Sequence, residues 1–128
     1  MIRTFDTGDV APAGVDGTAT ASATLGPING TVVGVYVKYD AAQASTIDTV
    51  IATAHEPVVP ILTLTDVKTS GWYRPRAALH SILGVALNFA ATFPVPGKIA
   101  VNDYVLVSWS GADITHPVRV YIQVEVEG

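Results

Sequence analysis

The last ten residues before the C-terminal glycine constrain the fold more than any other stretch. From Val118 to Glu127 apolar and polar side chains alternate without a break. Val118, Val120, Ile122, Val124 and Val126 share one parity, and Arg119, Tyr121, Gln123, Glu125 and Glu127 share the other. Period two belongs to a β-strand with one face buried and one face wet. A helix with this pattern would scatter valines around its whole circumference. The chain therefore contains at least one sheet with a covered side.

Other stretches repeat the signal. Thr18 to Leu25 alternates small apolar with hydroxyl residues, placing Ala19, Ala21, Ala23 and Leu25 on one face, and Gly26-Pro27 is expected to turn it. Ile28 to Tyr39 is β-branched and aromatic. Val33, Val35, Val37 and Tyr39 are expected to share one face, and Gly34 on the other marks a bulge or a close backbone approach. Thr46 to Thr53 sets Ile47, Thr49 and Ile51 against Asp48, Val50 and Ala52. In Val58 to Thr65, Pro60 lacks an amide donor and so predicts an edge strand or a strand beginning there. Ile82 to Phe89 and Ile99 to Trp109 are further strands, the second bent at Asn102-Asp103, and Ser110 to His116 is a loop. Ile2 to Asp6 forms a short strand. Gly8, Pro12, Gly14 and Gly17 then interrupt regular structure, so residues 1–17 are an N-terminal arm, either a loop along the domain or an extension reaching a neighbour.

About eight short strands with turn signals between them, and no amphipathic helix, predict an all-β single domain over residues 18–128. The expected architecture is an antiparallel β-sandwich of jelly-roll-like topology, with an eight-stranded barrel as competitor. At 128 residues the chain buries a core without staples.

Composition narrows the function. Only 14% of residues are charged and 49% are hydrophobic. So few charges imply that partners cover part of the surface. The net charge is −4 with no basic run, which argues against nucleic acid. The absence of cysteine removes disulfides and thiolate metal sites. No apolar stretch follows Arg3 as in a secretion signal, and none reaches the roughly 18 residues of a membrane span.

Catalytic constellations do not emerge. His55, His80 and His116 stand in no metal-ligand spacing. No serine sits in a nucleophile-elbow pattern, and no carboxylate pair stands out among Asp48, Glu56, Asp66, Asp103 and Asp113. The expectation is a protein without enzymatic activity, cofactor or metal. The dense cluster is Gly71-Trp72-Tyr73-Arg74-Pro75-Arg76, with His80 shortly after. Trp, Tyr and Arg dominate binding energies at protein interfaces. Pro75 stiffens the segment and pushes Arg74 toward extended geometry. In an extended segment Arg74 and Arg76 project to one side, placed to engage carboxylates. The partner-binding candidates are Trp72, Tyr73, Arg74, Arg76 and His80.

The order of these features resembles a known group. Tyr36-Val37-Lys38-Tyr39-Asp40, Ser45 to Thr53, Ile61 to Thr65, Gly71 to Arg76 with Leu79-His80 and Gly84, Ile99 to Val105 and Val118 to Ile122 together resemble small accessory proteins of tailed-bacteriophage virions, of the capsid decoration (cement) type. The Trp-Tyr-Arg-Pro-Arg core is its most distinctive part. The resemblance implies a virion structural protein, assembled in the host cytoplasm and placed on the capsid surface. It also implies a homotrimer bound to the major capsid protein, and it carries over no catalytic residue. The alternative is a carbohydrate-binding jelly-roll module, such as a receptor-binding or tail-associated protein, which requires an exposed aromatic platform around Trp72.

Overall fold

The computed structural model describes residues 1–78, 88–89, 93–94, 96–97 and 99–126. The chain is all-β and antiparallel, with no helix among the described residues. Its strands are β1 (Ile2–Asp6), β2 (Ala19–Tyr39), β3 (Asp48–Thr53), β4 (Pro60–Leu64), β5 (Gly71–Tyr73), β6 (Ala77–Ala78), β7 (Asn88–Phe89), β8 (Phe93–Pro94), β9 (Pro96–Gly97), β10 (Ala100–Ala112) and β11 (Val118–Val126). Seven of these form one sheet in the order β1-β11-β2-β10-β3-β4, with β5 also on β2. The remaining four form two short ladders, β6 with β9 and β7 with β8. Within the large sheet only β3 and β4 are sequence neighbours side by side, so the chain crosses over repeatedly, as a jelly-roll-like winding demands.

The sheet closes over its core by bending along β2. Residues 19–31 of β2 pair with β10, and residues 30–39 pair with β11. One half of the sandwich is therefore β2-β10-β3-β4 and the other is β1-β11-β2-β5. The Tyr39 hydroxyl lies 2.6 Å from the Thr49 hydroxyl on β3, which ties the end of one half to the other across the interior. Between them lie Val32, Val35, Val37, Ile47, Ile51, Val105, Val107, Trp109, Val118, Val120, Ile122 and Val124, all nearly inaccessible to water. Each such aliphatic side chain contributes roughly 1.5–3 kcal/mol by burial.

The alternation in β11 is realised residue by residue: Val118 to Val124 inward, Arg119, Tyr121, Gln123 and Glu125 outward. Ala19 and Leu25 are buried, as are Ile47, Thr49 and Ile51. Pro60 opens β4 at the sheet's edge, where its missing donor costs no ladder bond.

Three expectations are corrected. Gly26-Pro27 does not turn the chain. It lies inside the 21-residue β2 as a bulge, two residues opposite the single Tyr104, and Gly26 takes up the irregularity with a φ of 113°. The register shift on β10 falls beside Asp103, next to the expected bend. Second, Val32 rather than Val33 is buried. The ladder jumps from Gly34↔Gln123 to Val32↔Val124, so Val33 is the extra residue of a bulge and inward parity changes there. Third, β10 continues through Ala112, shortening the expected 110–116 loop. Of the strand expected over Ile82–Phe89, only Asn88 and Phe89 are described.

Residues 1–17 lie against this domain. β1 pairs with β11, Val10 bridges Val118, and Ala13 bridges Thr20. Gly17 N–H donates to the Ala112 carbonyl, and Ile114 N–H donates to the Asp16 carboxylate. Pro12 is buried.

Candidate functional site

β5 exists because β2 is longer than its neighbour. The ladder with β10 stops at Thr31↔Ala100, and the same edge of β2 is open beyond the Val32 N–H, which donates to the Ile99 carbonyl at 2.8 Å. Gly71–Tyr73 fills that edge, pairing Gly71 with Val37, Trp72 with Tyr36 and Tyr73 with Val35. The Ser70 hydroxyl continues the pairing by side chain. It accepts from Tyr39 N–H at 2.9 Å and reaches the Tyr39 carbonyl at 3.3 Å. Pro75, buried, follows the strand.

Strand parity then sorts the predicted residues. Tyr73 shares the inward face with Val35 and packs against the core. Trp72 points outward and is 57% exposed. Arg74 and Arg76 are also exposed, and among the described residues neither pairs with a carboxylate. Arg76 donates to the Pro75 carbonyl at 2.8 Å. It also lines a hollow of about 350 Å³ with Ile2, Thr31, Val32, Val33 and Glu125. His80 lies outside the described residues.

Two residues that the sequence did not single out join Trp72. Register places Tyr121 of β11 opposite Tyr36 of β2, and Tyr36 opposite Trp72 of β5. The three rings form one row across three strands. Tyr36 and Trp72 have centroids 5.2 Å apart and planes inclined at 57°, and Tyr36 and Tyr121 are 6.1 Å apart at 53°. These are the tilted geometries that aromatic pairs favour. The neighbouring row is Thr4, Gln123 and Gly34. Gly34 offers no side chain, and a Cβ there would lie 3.7 Å from two carbons of the Trp72 ring. The open groove over these rings measures about 450 Å³ and is lined by Thr4, Tyr36, Trp72, Tyr121 and Gln123.

Charge on this face is tied up at one end. Arg119 donates to both oxygens of Asp6, at 2.9 and 2.5 Å, and its guanidinium stands 4.9 Å over the Tyr121 ring. The Arg119 hydrogen bond, helped by the Gly8 N–H, holds the Asp6 carboxyl below its ordinary range against a smaller effect of burial.

A second cluster lies at the β3–β4 turn. Asp103 accepts from the backbone N–H groups of His55 and Tyr104, and its carboxylate lies 2.7 Å from His55 Nδ1. The His55 hydrogen bond comes first among the causes that lower the Asp103 carboxyl. Glu56 lines the same depression of about 210 Å³. This brings a histidine and two carboxylates together, yet the His55 side chain is 72% exposed. The neighbouring Thr53 hydroxyl accepts from Val59 N–H at 2.7 Å. With the carboxylate committed to fastening the turn, the arrangement works as a bracket between that turn and β10. Among the described residues no three His, Asp or Glu side chains converge as a metal site. Among the described residues no helix is long and apolar enough to cross a membrane. The described geometry thus offers binding surfaces: an aromatic groove on the sheet and two exposed guanidinium groups beside it.

No protein-family model matches this chain, and neither curated proteins nor solved structures give a significant match.

Proposed function

We propose that this chain is a structural protein of a bacteriophage virion, a decoration protein that binds the outside of the major capsid shell and stabilises it. The observation that carries the reading is the exposed edge of β5. Trp72, Arg74 and Arg76 stand at the surface, and the two guanidinium groups have no carboxylate partner among the described residues. On a chain of net charge −4 this is a local cationic, aromatic patch. It suits a protein surface that presents carboxylates, which guanidinium groups grip in bidentate fashion. The resemblance in the sequence supports the same reading, as does a charge content of 14%. The protein works without catalysis or cofactor, as a homotrimer on the shell.

Its mechanism is mass action. A protein that binds only the assembled shell stabilises it by its binding free energy, about 2.7 kcal/mol per site at a hundredfold excess over Kd. The strand scaffold serves this by holding the patch in one geometry before contact, which lowers the entropy cost of association.

The test is co-sedimentation with empty capsid shells. Wild-type protein is expected to pellet with shells and raise their disruption temperature. The double variant Arg74→Ala/Arg76→Ala, with its fold checked by circular dichroism, is expected to bind at least about tenfold more weakly. Equal binding by the double variant removes Arg74 and Arg76 from the interface. Failure of wild-type protein to bind shells refutes the function.

A further inference from the structure

We propose that the groove over Tyr121, Tyr36 and Trp72 is a carbohydrate site, taking one or two pyranose rings of an uncharged glycan. The proposal goes beyond shell binding: it concerns the outer face of β1-β11-β2-β5, shares only Trp72 with the shell-binding patch and leaves Arg74 and Arg76 unused.

The first argument is shape. Neighbouring strands lie about 4.8 Å apart, so a row spanning three strands extends about 10 Å. The inclined rings make a trough, and the Trp72 ring lies over the buried Gly34, where a Cβ would stand 3.7 Å from it. Its volume of about 450 Å³ lies within the ~300–1,000 Å³ usual for small-molecule sites. The rings sit on strands, with Trp72 held against Tyr36 and the Gly34 backbone, so ligand binding orders little.

The second argument is chemistry. A pyranose presents C–H groups on its faces and hydroxyls around its rim. The faces suit the electron-rich faces of Trp and Tyr. The rim suits groups that both donate and accept, which describes the Gln123 amide, the Thr4 hydroxyl and the two tyrosine hydroxyls. Among the described residues these four side chains make no hydrogen bond with the protein, so their capacity faces the groove unspent. A polyproline peptide would use the same rings but offers carbonyl acceptors alone, leaving the acceptor oxygens of Gln123 and Thr4 idle.

The third argument is charge. Asp6 adjoins Tyr121 in register, and Arg119 neutralises it with two hydrogen bonds. Among the described residues no ionised side chain lines the groove. The site is therefore built for a neutral ligand.

The experiment is a glycan array of neutral and acidic glycans with a polyproline peptide spotted alongside. Fluorescence titration with the best-binding glycan follows. The chain has two tryptophans, and Trp109 is 2% exposed, so a shift in emission on titration reports Trp72. The expected result is saturable binding of a neutral glycan with a blue shift. Trp72→Ala and Gly34→Val are each expected to weaken it by at least about tenfold, the second by pushing the Trp72 ring out of the row with every contact residue retained. Arg74→Ala/Arg76→Ala is expected to leave it within about twofold. The near-UV signal of Trp109 confirms that each variant is folded. Absence of glycan binding by folded wild-type protein overturns the proposal. So does binding that survives both groove variants, and so does capture of the peptide or of acidic glycans alone.

Discussion

Gly30 stands where the two halves of the sandwich diverge, and replacing it with alanine is a sharp test of the bent-strand architecture. This residue pairs with Val101 of β10 on one side and Val126 of β11 on the other. A Cβ built here collides with the Glu125 carbonyl oxygen and sits 2.7 Å from a Val124 methyl, where ordinary contact begins at 3.4 Å. The methyl alone requires a displacement of about 0.7 Å, and the carbonyl, being ladder backbone, moves only with its strand. Overpacking of this kind costs typically about 1–3 kcal/mol. Strain on the adjoining ladder bonds adds about 1 kcal/mol, so Gly30→Ala is expected to destabilise by about 2–4 kcal/mol. At roughly 4 °C per kcal/mol for a domain of this size, the melting temperature falls by about 8–16 °C. The assay is calorimetric melting beside Gly71→Ala. A Cβ at Gly71 meets nothing within 4 Å, so its Tm is expected to stay within about 2 °C of wild type. If both variants melt with wild type, β11 does not approach β2 as described and the pivot is wrong.

Further outcomes follow from buried hydrogen bonds and one ion pair. Gln43→Ala is expected to cost about 2–4 kcal/mol in urea unfolding. The Gln43 amide donates to the His116 carbonyl at 2.7 Å and accepts from Ala44 N–H and Asp113 N–H at 2.8 and 2.7 Å, and all three groups lose that partner. Tyr39→Phe is expected to cost about 1–2 kcal/mol by orphaning the Thr49 hydroxyl, and Tyr39→Phe/Thr49→Val less than the sum of the single changes. Burial raises the Tyr39 phenol above 10.0 in the folded state, so wild-type stability is expected to decline as pH rises past 10.0, a slope that Tyr39→Phe reduces. Asp6→Asn is expected to lose under about 1 kcal/mol at neutral pH, since the pair with Arg119 is partly exposed. Folding lowers the Asp6 carboxyl below 3.8, so its contribution is complete above 3.8 and disappears as pH falls through the folded value. Denaturation curves of Asp6→Asn and wild type are therefore expected to converge in acid.

What the sequence disclosed and what it hid divide along a physical line. Alternation is a property of a strand with its own sheet face, and β11 shows it without interruption, so parity alone placed its five inward and four outward described side chains. β2 obeys the same rule in three segments separated by two bulges, and nothing local announces that the strand resumes after each. Gly26-Pro27 has the composition of a turn. It is carried through as strand because Leu25 and Ile28 remain on the β10 ladder, an interaction with residues about 80 positions away. Val33 is apolar like its neighbours, so its removal from the buried face depends on the Gly34 bulge. The sequence suggested that irregularity at Gly34 but could not fix its register.

The binding surface shows the same limit in a more consequential form. Trp72 stood out because composition concentrates special residues around it. Tyr36 and Tyr121 stood out nowhere, since each is one tyrosine in a valine-rich strand. Their outward parity was readable, but their adjacency was not. Tyr36 and Tyr121 are 85 positions apart, and only the β2–β11 register, unbroken from Tyr39↔Val118 to Gly34↔Gln123, aligns the pair. A one-residue slip would turn Tyr121 into the core and dissolve the row. Tyr73, attractive by type, packs against the core because its parity matches Val35. The irregularity at Val33-Gly34 thus has two effects. The bulge at Val33 resets which valine is buried, and the glycine that follows it leaves room for the Trp72 ring to pack over β2. Straightening the bulge would misplace the core valine, and a side chain at Gly34 would displace the Trp72 ring, so the stability of this half of the sandwich and the shape of its outer face rest on two adjacent residues.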